Sequence, residues 1–231
     1  LTATALGVEL LVHYGHSCLV PMDTKSGLKV LYVFVSIEID PLHFIETIKL
    51  NFTTETRIGL MCTIQFAPTL QVVAKELEGA GYVVVIPQYR PLSPGEILGC
   101  TAPVMTCVDT IVYLGDGRFH LEAAMISNPK MHAYRYDPYD KKFTREYYEH
   151  ETMQMIRYKS IEGAKLARNF GIIMGTLGRQ GNLKVVQGIE KMLNDSKRNT
   201  VVILLSEIFP QKLKLLQFLD AFVQIACPRL S

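Results

Sequence analysis

One pattern occurs three times in this chain: an acidic residue followed by a short apolar stretch that ends in glycine or alanine. The copies run from Glu9 to Gly15, from Asp109 to Gly115 and from Asp220 to Ala226. Their starts lie 100 and 111 residues apart, a period too long for a solenoid repeat and typical of a small α/β domain. The pattern therefore predicts a domain that has been copied along the chain.

A second set of matches keeps a constant offset of 113 residues. The matched positions are Thr63 with Thr176, Leu70 with Leu183, Val72 with Val185, and Val73 with Val186. In each copy an apolar run precedes a polar turn and then a segment with apolar spacing of three and four, which predicts strand, loop and helix. Strands that alternate with helices indicate a mostly parallel sheet. We therefore expect an α/β fold of tandem homologous three-layer domains.

Three domains are expected, and the first is expected to be incomplete. We expect residues 1–24 to form the C-terminal part of the first domain, 25–132 the second, and 133–231 the third, which is expected to be cut short at its end. In the second domain, Asp40 and Pro41 predict the start of a helix. In the third, Thr144 is predicted to cap a long helix that reaches about Asn169, with Gly171 as its stop signal.

Composition excludes several classes of protein. The formal charge is +2 and the basic residues are dispersed, so no nucleic-acid partner is expected. The apolar stretches are too short to cross a bilayer, and no signal peptide is apparent, so no membrane partner is expected either. Five irregularly spaced cysteines indicate a reducing, cytoplasmic location without disulfides.

Several loops follow predicted strand ends, the edge at which parallel sheets bind ligands. The loops of interest are 115–120, 175–181 and 226–229, and each contains an arginine. Glycines there would let backbone N–H groups approach an anion, and an arginine can bind a carboxylate through two parallel hydrogen bonds. The alternative is that these are tight turns with solvated arginines.

Two cysteines stand out by position. Cys227 directly follows the third copy of the repeat, and Cys100 precedes the second copy by nine residues. The same offset before Glu9 falls just upstream of Leu1, so three related domains could each supply one thiolate around a pseudo-threefold axis. Three such thiolates would hold a 4Fe-4S cluster with one open iron. The alternative is that both are small buried hydrophobic residues, the role that we assign to the remaining cysteines, Cys18, Cys62 and Cys107.

Seven strings, in order along the chain, carry a family resemblance. They are Val12–Leu19 (VHYGHSCL), Ser93–Thr101 (SPGEILGCT), Tyr113–Glu122 (YLGDGRFHLE), Tyr134–Tyr139 (YRYDPY), Gly175–Gly181 (GTLGRQG), Leu205–Pro210 (LSEIFP) and Ala226–Ser231 (ACPRLS). Together they resemble the subunit 1 family of eukaryotic diphthamide synthase, 2-(3-amino-3-carboxypropyl)histidine synthase. The resemblance covers the chain from end to end.

The resemblance implies three homologous α/β domains, each giving one cysteine to a 4Fe-4S cluster. Cys100 and Cys227 match the second and third ligands, and the first belongs to a segment upstream of Leu1. It also implies transfer of a 3-amino-3-carboxypropyl group from S-adenosylmethionine to C2 of a histidine of translation elongation factor 2, by radical chemistry. The implied partners are the paralogous subunit 2, elongation factor 2 as substrate and a small metal-binding electron donor.

For the S-adenosylmethionine pocket we add a hypothesis that goes beyond the family motif. The candidates for its carboxylate are Arg118, Arg179 and Arg229, and Asp116 or Glu207 would receive its ammonium. Close approach of the backbone would be allowed at Gly115, Gly117, Gly175 and Gly178. For Arg118 and Glu207 the alternative is an interdomain ion pair.

Two other functions remain open at this point. One is a cluster-bearing dehydratase similar to quinolinate synthase, which shares the three related domains and three cysteine ligands. The other is a non-catalytic scaffold subunit that supports an active partner. Retention of Cys100 argues against the scaffold, because the supporting subunit of the family departs at the second cysteine.

Overall fold

The structure, a computed structural model, describes residues 2–15, 27–90, 92–99, 101–176 and 181–227. It divides into two compact units, Leu1–Tyr148 and Glu149–Ser231. Both are α/β with mostly parallel sheets, which confirms the expected fold class. None of the helices in the described ranges has the length and apolar content needed to cross a membrane.

The first unit contains a two-stranded and a five-stranded sheet, ordered β1-β2 and β4-β3-β5-β6-β7. Its elements are α1 Thr2–Ala5, β1 Leu10–Gly15, β2 Lys29–Phe34, α2 Pro41–Asn51, β3 Arg57–Cys62, a 3₁₀ turn Ile64–Phe66, α3 Ala67–Gly79, β4 Val83–Val85, β5 Thr110–Leu114, α4 Phe119–Ser127, β6 His132–Asp137 and β7 Lys142–Glu146. The start of α2 is as predicted, because the Asp40 carboxylate accepts a hydrogen bond from the Leu42 N–H at 2.9 Å.

The second unit contains a three-stranded sheet, ordered β10-β8-β9. Its elements are α5 His150–Ala164, β8 Asn169–Gly175, α6 Leu183–Asp195, β9 Asn199–Leu205, α7 Pro210–Leu213 and β10 Ala221–Ile225. In this sheet the second and third strands flank the first, and all pairs are parallel. The first three strands of the five-stranded sheet, β3, β4 and β5, have the same arrangement. The copied sequence pattern thus corresponds to a shared topology.

The core of the first unit lies on both faces of the five-stranded sheet. Along β3, Leu60 packs into one buried cluster with residues of α2 and α3, and Met61 packs into the other with residues of α4. Along β5, Val112 belongs to the same cluster as Leu60, and Tyr113 belongs to the same cluster as Met61. Because successive side chains of a strand point to opposite faces, helices cover both sides of the sheet. This gives the three layers expected from the sequence.

The segment that follows β6 differs from the prediction. Thr144 does not cap a helix, since Lys142–Glu146 is an antiparallel strand paired with β6. Lys141, with φ of 50°, allows the reversal, and Phe143 stacks on Tyr134 with ring centroids 5.3 Å apart. The helix is the shorter α5, and Gly171 lies inside β8 rather than at a helix end.

The three-domain division stays a prediction. The boundaries drawn at residues 24 and 132 cut across two sheets, because β2 pairs with β1 and β6 pairs with β5. Sheet membership would instead assign β2 to the first domain, and β6 and β7 to the second. We propose the three domains with their boundaries moved in this way.

Candidate functional site

The loop after β5 lies at the carboxyl edge of the five-stranded sheet. The N–H of Gly115 donates to the Tyr136 carbonyl at 3.1 Å, and a Cβ at Gly115 would lie 2.6 Å from the Tyr113 hydroxyl. Gly117 has φ of +65°, a conformation that favours glycine, with open space around it. Asp116 is exposed beside it. Two predicted site glycines are therefore needed for this backbone path.

Arg118, at the end of this loop, is held by three groups of its own unit. Its Nε and Nη1 form ion pairs with Glu122 at 3.2 Å and Glu146 at 3.1 Å. Its Nη2 donates to the Tyr147 carbonyl at 2.9 Å. The ion-pair alternative considered for Arg118 thus describes its contacts, although the pair lies within one unit and not between domains. A ligand carboxylate at Arg118 would have to replace one of these contacts.

Glu146 on β7 organises a wider charge network. Its side chain is 9% exposed and also contacts the Nε of Arg135 at 3.4 Å and the Thr144 hydroxyl at 2.7 Å. Arg135 in turn pairs with Asp137 at 3.1 Å. Because the Glu146 carboxylate is nearly buried, its charge must be compensated by ion pairs and hydrogen bonds of this kind. The sequence pattern does not indicate a role for Glu146, because it predicts a helix in this segment.

The segment that leads to Cys100 is attached to the carboxyl end of β3. The Cys62 N–H donates to the Gly95 carbonyl at 2.8 Å, and the Ile97 N–H donates to the Cys62 carbonyl at 2.9 Å. The carboxylate of Glu96 is buried and accepts from the Ser93 N–H at 3.0 Å. Residues up to Gly99 are therefore fixed at this edge, and Cys100 itself lies outside the described residues.

Gly99 and Phe119 connect the two loops of this edge. A Cβ at Gly99 would lie 2.6 Å from Cε1 of Phe119, so the ring approaches the backbone more closely than any larger residue would permit. Phe119 is the first residue of α4 and follows Arg118 directly. Gly99, which precedes the candidate cluster ligand Cys100 in sequence, thus packs against Phe119 of the candidate cofactor loop 115–120.

The other cysteines of the first unit have different surroundings. Burial raises the pKa of the Cys62 thiol, and the nearby Glu96 adds to this effect, so Cys62 stays protonated and serves packing as predicted. Cys107 is exposed, so its assignment to the core was wrong. Cys18 lies outside the described residues.

Three candidate residues lie at the carboxyl edge of the second unit's sheet. Cys227 is buried and lies two residues after the end of β10. Gly175 ends β8, and a Cβ at Gly181 would press against its carbonyl, so the two ends of this loop meet. Glu207, two residues after β9, is exposed and lies 3.7 Å from Lys212. The candidates Gly178, Arg179 and Arg229 lie outside the described residues.

Within the part of the chain that the structure describes, no group of three or more His, Cys, Asp or Glu side chains is arranged to hold a metal ion. Of the two predicted cluster ligands, only Cys227 belongs to that part. The strand topology nevertheless places its thiol at the edge where parallel sheets bind ligands.

Comparison with known proteins identifies the family. A family model for diphthamide synthesis proteins matches residues 1–231. A protein of Nematostella vectensis named 2-(3-amino-3-carboxypropyl)histidine synthase subunit 1 is 56% identical over 230 residues, which cover 100% of this chain and 49% of the relative. The chain belongs to the diphthamide synthesis family.

Proteins of the same name from Mus musculus and Homo sapiens are 55% and 54% identical over 232 residues, and 53% of each is covered. The chain spans about half the length of the curated family members it matches. Dph2 from Pyrococcus horikoshii has a similar solved structure, with a TM-score of 0.77 and 26% identity over 99% of this chain and 67% of that one. A second structure of Dph2 contains a 4Fe-4S cluster.

Proposed function

We propose that this chain is part of an enzyme that performs the first step of diphthamide biosynthesis. The reaction transfers a 3-amino-3-carboxypropyl group from S-adenosylmethionine to C2 of a histidine of translation elongation factor 2. The observation that carries the proposal is the position of Cys227, a buried thiol at the carboxyl edge of its sheet, in a chain 56% identical to a subunit 1 protein.

Cys100 and Cys227 are the proposed cluster ligands in this chain, with a third cysteine upstream of Leu1. Cysteine thiolates are the usual ligands of such clusters, and the cluster in Dph2 supports the assignment. When bound, the cluster would supply the electron that cleaves the bond between the sulfur and the γ-carbon of S-adenosylmethionine. The protein's own contribution would be to hold the ligands, orient the substrate and exclude water.

The proposed S-adenosylmethionine pocket uses the loops at the carboxyl edges of the sheets. The exposed carboxylate of Asp116 is suited to the ligand's ammonium, and Glu207 is a second candidate. The glycines at 115, 117, 175 and 178 would allow the backbone to approach it closely. Arg179 and Arg229 would bind the carboxylate, and Arg118 would do so only by giving up one of its three contacts.

The proposed setting is a heterodimer in the cytoplasm, with the paralogous subunit 2 as partner and a small metal-binding protein as electron donor. The name of the relatives, which designates them as subunit 1, supports an enzyme of more than one subunit. Elongation factor 2 would bind as a macromolecular substrate.

The test is iron and acid-labile sulfide content after anaerobic reconstitution of a chain extended upstream to include the first cysteine. We expect about four irons in the parent, as in a 4Fe-4S cluster, and loss in Cys100→Ala and Cys227→Ala. Cys107→Ala is the matched control and should retain its iron, because this exposed thiol is not a proposed ligand.

The result that overturns the proposal is a parent without a cluster, which would favour the scaffold alternative. A parent that retains the cluster but does not bind S-adenosylmethionine would favour the dehydratase alternative. Equilibrium dialysis with S-adenosylmethionine distinguishes these cases, with Asp116→Asn as the variant expected to bind more weakly.

A further inference from the structure

Strand β7 is the outer strand of the five-stranded sheet. One of its edges pairs with β6, and within the described ranges no strand pairs with the other edge. An unpaired edge presents backbone N–H and C=O groups to which a further strand can bind. The side chains along such an edge decide whether it is protected from other chains or binds one.

Three basic side chains are exposed along this edge: Lys141, Lys142 and Arg145. Neither lysine forms an ion pair in the part of the chain that the structure describes, and Nη2 of Arg145 contacts Nδ1 of His132 at 2.8 Å rather than a carboxylate. Asp140 is the acidic residue exposed beside them. Acidic residues outnumber basic ones in the first unit as a whole, so this edge is locally positive in a unit of negative net charge.

Two exposed tyrosines flank the strand. Tyr139, in the turn before β7, is 58% exposed, and Tyr147, directly after β7, is 64% exposed. The guanidinium of Arg145 lies over the Tyr147 ring, 5.1 Å from its centroid. Lysines alone are a common protection of sheet edges against aggregation, whereas exposed tyrosine together with arginine is typical of binding hot spots. The residue types thus favour a binding surface.

The backbone of this hairpin is held in place by its own unit. The Asp137 carboxylate accepts a hydrogen bond from the Tyr139 N–H at 3.1 Å, in the turn before β7. At the other end of the strand, Arg118 donates to the Tyr147 carbonyl at 2.9 Å and pairs with Glu146 at 3.1 Å. A surface that is already formed loses little conformational entropy when a partner binds.

We propose that the outer edge of β7 binds an extended, acidic segment of a partner protein, which adds to the sheet as a further strand. In this mode of recognition, backbone hydrogen bonds supply affinity and side chains supply specificity. Acidic side chains of the segment pair with Lys142 and Arg145, so the charges of the two chains are complementary. The inference is independent of the proposed function, because the residues that line the edge are not candidates for binding the cluster or the cofactor.

The test is fluorescence anisotropy of a labelled peptide of alternating threonine and glutamate, titrated with the full chain. We expect saturable binding that weakens as salt is added, because the charge pairs lie at an exposed edge. Reversal of both charges in Lys142→Glu/Arg145→Glu should weaken binding by about tenfold or more. Lys75→Glu is the matched control and should bind like the parent, since Lys75 is an exposed lysine on α3 of the same unit.

The single variant Lys142→Glu keeps the test valid if the double variant does not fold, and it should weaken binding by a smaller factor. Two further peptides separate strand addition from charge attraction alone. A peptide of alternating threonine and lysine should not bind. An N-methylated threonine–glutamate peptide keeps the charges but cannot donate backbone hydrogen bonds, so it should bind much more weakly than the unmodified peptide.

Absence of saturable binding to the parent would overturn the inference, as would equal affinity of the parent and the charge-reversed variants. Equal affinity for the N-methylated peptide would show charge attraction without strand addition and would also overturn it. A parent that forms dimers in sedimentation, and loses them in Lys142→Glu, would identify a second copy of the chain as the occupant and contradict an acidic partner segment.

Discussion

The carboxylate of Asp220 accepts a hydrogen bond from the backbone N–H of Asn169 at 2.8 Å. The bond links the residue before β10 to the first residue of β8, and the Asp220 N–H donates back to the Asn169 carbonyl at 2.9 Å. In the first unit, Asp109 forms the same pair of backbone contacts with Arg57, at the start of β3, both at 2.9 Å. The acidic residue of the repeated pattern thus holds the start of the neighbouring strand in both units.

Asp109→Asn should destabilise the first unit. The Asp109 carboxylate accepts the Arg57 backbone N–H and also pairs with the guanidinium, with Nη2 to Oδ1 at 2.8 Å. An amide cannot form the ion pair and supplies only one acceptor oxygen. The urea midpoint is therefore expected to fall. Glu78→Gln, which neutralises an exposed carboxylate on α3, is the control, and an equal effect of both changes would contradict the prediction.

The same contact predicts how stability depends on acid. The hydrogen bond from the Arg57 side chain, with a second from its backbone, lowers the pKa of Asp109 to about 2. The unfolded carboxyl titrates at about 3.9, so the stabilisation is complete above that pH and is lost as the pH falls toward the folded pKa. The gap in urea midpoint between the parent and Asp109→Asn should be full at neutral pH and should narrow at about pH 2.5. A gap that is constant with pH would rule out this origin.

Glu146→Gln should destabilise the first unit more than a change at an exposed ion pair. The variant leaves Arg135 and Arg118 facing a neutral amide. Breaking a fully buried pair costs about 3–5 kcal/mol, and we expect about 2 kcal/mol here because Arg118 is 45% exposed. Chemical denaturation measures this loss in the free energy of unfolding.

The control for Glu146 is Glu46→Gln, which breaks an exposed pair with Lys49 at 3.0 Å. Exposed pairs contribute about 0–1 kcal/mol. If Glu146→Gln and Glu46→Gln lowered the free energy of unfolding by the same small amount, the network around Glu146 would not stabilise the unit.

Lys197→Gly should stabilise the second unit. Lys197 has φ of 57° just after α6, where the Arg198 N–H donates to the Leu193 carbonyl at 3.0 Å. This helix ending favours glycine, because the left-handed conformation costs other residues about 1 kcal/mol. We expect a gain of up to about 1 kcal/mol in the free energy of unfolding.

The control for Lys197 is Lys191→Gly, in the interior of the same helix. Glycine there should cost about 1 kcal/mol. If both variants lowered the free energy of unfolding, the left-handed backbone conformation at position 197 would not decide the effect of glycine there.

Much of the fold was predictable because its signals are local. The start of α2 at Pro41 follows from its capping residues. The helices α3 and α6, which contain the matched positions Leu70 and Leu183, follow from apolar spacing within a few positions. The antiparallel strand β7 was missed, because its stability depends on pairing with β6 and on the ring of Tyr134. Short strands of this kind depend on cross-strand neighbours more than on their own sequence.

The candidate site was predictable in its residue types and less so in its contacts. The glycines of the loop after β5 and the cysteine after β10 were identified from motifs next to strand ends. The pairing of Arg118 with Glu146 spans 28 positions and joins a loop to a strand that the sequence did not indicate. The contact of Gly99 with Phe119 likewise depends on how two loops meet.

The sequence by itself determined the copied α/β pattern, the family and the candidate cysteines. Repeats, strand periodicity and motifs depend only on residue types and their spacing along the chain. Only the tertiary structure decided that the repeated aspartates hold neighbouring strand starts, that Arg118 is occupied by carboxylates, and that Phe119 packs on Gly99. These contacts join residues distant in sequence, and they form only when the strands pair in register and bring the residues at both edges of each sheet together.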